Sequence, residues 1–185
     1  MQVFSLSHEK YRQSQKVHWR GECQIVVHAF VTAKLDSCNS LLYGLPQHLI
    51  LRLQSIQNTA ARVVARTGKF GHITPVLKQI HWLPVHYRIV FKILLLVYKA
   101  LNGTVLSYIS ELLKYHTSER KLRLSSQHLL VTPKAGLKTY GERAIAVAAP
   151  RLWISIPLEL RSSSSIDIFK QHLKTYLFKQ AFKLF

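Results

Sequence analysis

Acidic residues are scarce in this chain. Of its 185 residues, 8 are Asp or Glu, against 26 Lys and Arg. The only two aspartates, Asp36 and Asp167, lie far apart in the sequence. Two-metal phosphoryl transfer needs clustered carboxylates to hold its cations about 4 Å apart, so a polymerase- or nuclease-type centre is not expected. Cysteine is equally sparse: Cys23 and Cys38 form no Cys-x-x-Cys pair, and His18 and His28 supply no matched zinc spacing. A disulfide scaffold and a structural zinc are therefore not expected, and reduced thiols in an intracellular protein, nuclear or cytoplasmic, fit better. There is no Gly-rich phosphate loop, no Walker-type Gly-Lys-Ser/Thr and no Gly-x-Ser-x-Gly elbow. Long apolar runs are missing too. The most apolar stretch, Ile89–Leu101, is interrupted by Lys92 and Lys99 and falls short of the about 20 residues that cross a bilayer, so no stable membrane insertion is expected. Residues 1–20 are polar and basic without an apolar core, which argues against a secretory leader.

What is abundant is positive charge. The formal net charge is +18 with a pI near 10.3, while 48% of the residues are hydrophobic. The apolar share suffices for a core, and the length suits one ordinary domain with or without an appendage. The charge says little about fold and much about partners: nucleic acid, anionic lipid or acidic protein would be attracted. The ten histidines form no site by spacing. His72, His81 and His86 share no helical face, and no Glu stands beside them as a base. No cofactor or metal is expected.

Periodicity predicts a mainly α fold: about six helices around a central apolar helix, with a short extended patch in the C-terminal third. Residues 1–21 read as a poorly ordered basic lead. A helix is predicted over Glu22–Leu35, with Ile25, Val26, Ala29, Phe30 and Ala33 inward. A break follows in which Leu41, Leu42 and Tyr43 look buried. A second helix is predicted over Gln47–Arg66, with Leu49, Leu53, Ile56, Ala60, Val63 and Val64 as its stripe and Gly68 and Gly71 as its stop. Thr74 and Pro75 read as N-cap and first residue of a short helix ending near Ile80. Pro84 opens a helix to Leu101, apolar nearly all round, with Leu95 at its centre and Asn102-Gly103 as its stop. Another helix is predicted over Val105–Tyr115, with Leu106, Ile109, Leu112 and Leu113 inward. From Thr117 the character changes, and Leu129–Val131 suits a short strand. Pro150 is expected to break the small apolar run Ala144–Ala149, with Trp153 and Ile156 as a plug. Ser164 and Asp167 resemble a capping box for a last helix. Its stripe is Ile166, Phe169, Leu173, Tyr176, Leu177, Ala181 and Leu184, with Lys170, Lys174, Lys179 and Lys183 mostly off it.

Candidate polyanion contacts are Arg52, Arg62 and Arg66 on the second helix, with Lys69 just beyond, and the cluster Arg120, Lys121 and Arg123. Such side chains supply sequence-independent affinity through phosphates, although a lone Lys or Arg is more often a solvated face. Acidic partners at helical spacing are nearly missing here, so the charge stays uncompensated. Trp82, Trp153 and Tyr140 could stack on bases, but flanking prolines favour core anchors. Glu142-Arg143 reads as an isolated ion pair or a solvated turn rather than a catalytic pair. The lysine face of the last helix could meet anionic membrane, but its stripe is also what a docked terminal helix needs.

Several segments, in order, resemble the thumb and downstream region of non-LTR (LINE-type, jockey-like) retrotransposon reverse transcriptases. They are HAFVTAKLDSCNSLLYGLP at 28–46, LQSIQNTAARVVARTGKFGHITPVLKQIHWLPVHYRIVFKILLLVYKALNG at 53–103, LKTYGERAIAVAAPRLWISIP at 137–157 and IDIFKQHLKTYLFKQAF at 166–182. The resemblance runs from about Glu22 to the end and leaves residues 1–21 unmatched. It implies a thumb-like helical region over 22–116 and a C-terminal region over 117–185 that ends in an amphipathic helix. In this family the catalytic Tyr-x-Asp-Asp type motif belongs to the palm, and these 185 residues do not contain it. The resemblance therefore implies a non-enzymatic part of an RNA-directed DNA polymerase. Its partner would be template–primer duplex, an RNA–DNA hybrid or other duplex, met through Arg52, Arg62, Arg66 and Lys69, with the missing palm as a possible second partner. An interaction scaffold and a translated relic of an element are the alternatives.

Overall fold

In the computed structural model, which describes residues 21–115, 129–137 and 141–183, the backbone is mainly helical. The only β feature among the described residues is one isolated antiparallel bridge, Tyr115 to Leu130, with the Val131 N–H donating to Lys114 O at 2.9 Å. Among the described residues, the extended patch foreseen near Leu129–Val131 is that bridge alone. The basic lead over 1–21 lies, apart from Gly21, outside the described residues. Two compact units divide the chain. One joins the chain up to Ser37 with Gln47–Val85, and the other joins Cys38–Pro46 with the chain from His86 onward.

In the first unit, α1 covers residues 21–36 and contains a π-helical turn at His28–Thr32. One wider turn shifts the side chains around the axis, so Val27 and Thr32 are buried while Ile25, Val26 and Phe30, expected inward, are exposed. Helix α2, Gln47–Ala65, buries Ile50, Gln57, Ala60, Ala61 and Val64. Its inward face is therefore rotated from the expected stripe, and Ile56 and Val63 are 51% and 50% exposed.

The cause of that rotation is Gln57, which is only 1% exposed. Its side-chain N–H donates to Leu83 O at 2.8 Å, and its Oε1 accepts from Gln54 Nε2 at 2.9 Å. Gln54 Oε1 in turn accepts the Val85 N–H at 2.8 Å. Val85 opens α4, Val85–Leu101, so Gln54 satisfies one of the amides that a helix start leaves without an intrahelical partner. Two glutamines one turn apart thus hold the Trp82-Leu83-Pro84 segment onto α2. Trp82 and Leu83 are buried there, as anchors rather than stacking surfaces.

Helix α3, Ile73–Gln79, begins earlier than Thr74-Pro75 suggested, and no side chain caps it. Pro75 is nonetheless accommodated, because the first-turn amides have no intrahelical acceptor to lose. The ends of α2, α3 and α4 share one geometry. Thr67 N–H reaches Arg62 O while Arg66 N–H reaches Val63 O, and the pairs Trp82–Leu77 with His81–Lys78 and Thr104–Lys99 with Gly103–Ala100 repeat it. This is the Schellman arrangement, whose turning residue adopts a left-handed conformation. Gly103 (φ 67) fulfils the expectation for the α4 end, but Arg66 (φ 50) and His81 (φ 54) occupy the same position in the other two. Helix α2 therefore stops before Gly68, and Arg66 lies just outside it.

In the second unit, α4 buries Ile89, Val90, Ile93, Leu94, Val97 and Tyr98. The central-helix expectation holds, with one change: Leu95 is half-buried, and Leu94 beside it is the fully enclosed residue. Tyr98 stacks on Phe169 with centroids 4.3 Å apart and donates its hydroxyl to Ser163 O at 2.9 Å. Trp153 closes the cluster, 6.0 Å from the Phe169 ring. These contacts join α4 to α6, Ile145–Ser155, and to α8, Ile166–Phe182. Between them lies the short α7, Leu158–Arg161. Helix α6 runs through Pro150 rather than breaking there. Ala148, Ala149, Pro150 and Trp153 are all buried along it, and that packing offsets the amide that proline lacks. The cap of α8 is Ser165, one residue later than expected, accepting the Ile168 N–H at 3.3 Å. Phe169, Leu173 and Leu177 form its buried row, while Leu184 lies outside the described residues.

Two expectations fail for want of cover. The helix foreseen over Val105–Tyr115 is only α5, Ser107–Glu111, and of its proposed inward residues only Leu113 is buried while Leu106 and Leu112 are exposed. Leu41, expected inside, is also exposed, on a short 3-10 turn, Asn39–Leu42. The following Gly44 (φ 71) is obligatory, because a Cβ there would strike the Arg143 side chain, whose Nε–H donates to Tyr43 O at 3.1 Å. Glu142 pairs with Arg151 at 3.6 Å across an exposed surface, so the Glu142-Arg143 dipeptide is structural.

Replacing Gln57 with Leu would remove the buried hydrogen bond to Leu83 O, while Gln54 would keep Asn58 and the Val85 N–H as partners. The expected loss is about 1–3 kcal/mol in urea unfolding. Leu94→Asp should abolish cooperative unfolding by circular dichroism, whereas Leu95→Asp should leave a weakened but measurable transition.

Candidate nucleic-acid interface

From Gln47 to Val85 the sequence contains no carboxylate, while Arg52, Arg62, Arg66, Lys69 and Lys78 all fall inside it. The stretch itself therefore carries only positive formal charge. The stretch supplies α2, α3 and the turn between them.

Arg52 is exposed on the outward side of α2, beside Ser55 and Thr59. Arg62 is half-buried on the same helix and plays a different part. Its Nη2 donates to Gly71 O over a long 3.4 Å, and its buried Nε has no hydrogen-bond partner. Arg62 thus ties the α2–α3 connection to the helix. Arg66 is exposed at the left-handed turn that ends α2. Arg62 and Arg66 are four apart and would share a face on a continuous helix, but the left-handed turn takes Arg66 off it.

The connection itself is a β-turn. Gly71 N–H donates to Gly68 O at 3.1 Å, which places Lys69 and Phe70 at the two corner positions. Both are exposed, and Phe70 is 96% exposed. The cationic candidates of this region therefore comprise one helix-face arginine, one arginine buttress, one arginine at the left-handed turn that ends α2 and a lysine at the corner of the following β-turn. Sequence reasoning missed Phe70. The signal available was its place in Gly-Lys-Phe-Gly, where neither neighbour is an apolar residue with which it could form a stripe.

The second basic cluster, Arg120, Lys121 and Arg123, lies outside the described residues, as does Tyr140. Trp153, the other stacking candidate, is buried with Phe169. Among the described residues no group of three or more His, Cys, Asp or Glu side chains could hold a metal ion. Cys23 and Cys38 are both free thiols. No described helix is long and apolar enough to cross a membrane.

Comparisons with protein-family models, with curated proteins and with solved structures gave no match.

The two roles on α2 are separable by experiment. Arg62→Ala should speed amide exchange at Gly71, because the buttress holding the turn is lost, while Arg52→Ala should leave exchange there unchanged.

Proposed function

We propose that this chain is a non-catalytic nucleic-acid-binding module of the thumb type found in non-LTR retrotransposon reverse transcriptases, and that it grips template–primer duplex through backbone phosphates. The observation that carries this reading is the carboxylate-free stretch Gln47–Val85, with Arg52 and Lys69 exposed on it. Each cation that neutralises a phosphate releases condensed counterions, and this gives affinity without base readout. The ordered resemblance of four sequence segments to the thumb and downstream region favours an RNA–DNA hybrid or duplex among polyanions. With only Asp36 and Asp167 as aspartates, the chain is read as a binding part and not as the polymerase.

A second reading has its own support. Leu51, Ile56 and Val63 are exposed on α2, and Ile25 and Phe30 on α1. Apolar side chains left uncovered in such number suit a protein partner, such as the palm of the same polymerase family, and an interaction scaffold would use them.

Fluorescence anisotropy against an RNA–DNA hybrid, duplex DNA and heparin, at several salt concentrations, tests the first reading. Hybrid or duplex should bind more tightly than heparin, with a steep salt slope. Arg52→Ala and Lys69→Ala should each weaken binding about equally across sequences and lower the slope by about 1. Equal binding to heparin, with slopes untouched by both variants, would sink it. Salt-insensitive association with protein would favour the second reading.

A further inference from the structure

We infer that Phe70 is a stacking platform for an unpaired nucleic-acid base, with Lys69, beside it in the turn, on the adjoining phosphate. This deepens the proposed function and rests on it.

A single exposed apolar side chain means little on its own. Phe70 differs in how it is held. It is 96% exposed, more than any other large hydrophobic residue described. It occupies a corner of a turn closed by the Gly71–Gly68 hydrogen bond, and Arg62 Nη2 reaches the carbonyl of that same Gly71. The ring is thus presented on a braced turn. A presented aromatic loses less conformational freedom on binding than one on a loose segment.

Its surroundings decide the class of ligand. Lys69 adjoins it in the turn, and no carboxylate lies between Gln47 and Val85. An aromatic ring beside a cation is a combination that binds single strands: the backbone meets the charge and a base meets the ring face. In a continuous duplex each base is already stacked on both sides, so a projecting ring finds no free face. Phe70 therefore selects an unpaired base, as found where a template strand leaves a template–primer duplex. Stacking is tolerant of base identity, because every base offers a π-face.

The test uses the full chain with a 12-nucleotide single strand, a blunt duplex, the same duplex with a single-stranded extension, and heparin. Phe70→Ala should weaken binding to the single strand and to the extended duplex about tenfold, while leaving the blunt duplex and the melting temperature unchanged. Phe70→Trp should bind the single strand at least as tightly as wild type. Its added fluorescence should be quenched by the single strand and not by heparin. Unchanged single-strand affinity in Phe70→Ala, or equal quenching by heparin, would overturn stacking while leaving the phosphate grip in place. Failure of wild type to bind any nucleic acid better than heparin would remove the underlying reading and this inference with it.

Discussion

The first unit depends on one buried amide. Gln57 places a polar side chain among Ile50, Ala61 and Val64, a costly location unless every hydrogen-bonding atom is used. Here both ends are used, one on Leu83 O and the other on Gln54. The consequences spread outward. The rotation of α2 follows from it, as does the fixed position of the Trp82-Leu83-Pro84 segment. Because Gln54 also accepts the Val85 amide, the first residue of α4 is held by the same pair. Which residues of α2 face solvent, Arg52 among them, is a by-product of where this glutamine must point.

That dependence explains why some elements were legible in the sequence and others were not. Helices α4 and α8 carry apolar rows that no polar residue interrupts, and their spans followed from spacing, as did the Phe169, Leu173 and Leu177 row of α8; α4, apolar nearly all round, offered no single face, and Leu95 on it is only half-buried. In α2 the apolar pattern admitted two registers. A hydropathy argument chooses the one that leaves Gln57 outside, because the acceptor at Leu83 is 26 residues away and invisible to a local window. Helix ends were misjudged for a related reason. A Schellman ending is made by backbone amides, so Arg66 and His81 can occupy a position for which glycine is the usual signpost. Pro150 was read as a break because its local cost is plain, whereas the compensating burial along α6 is a tertiary fact.

The candidate interface was legible as charge and not as shape. Composition alone pointed to a polyanion, and Arg52 and Lys69 are exposed as that reading requires. The division of labour between Arg52, facing solvent, and Arg62, bracing a turn, depends on a contact to a backbone carbonyl nine residues on. Phe70 went unread because a residue that fits no periodic stripe gives no signal to a method built on periodicity.

The stretch without carboxylates has a bearing on acid tolerance. Acid unfolding of most proteins is driven by protonating carboxylates that the native state holds ionised. Between Gln47 and Val85 there is no such group to lose. Acidification therefore removes no negative charge from this part of the chain. Its attraction for a polyanion would persist under mild acid, where an interface built on paired charges would come apart.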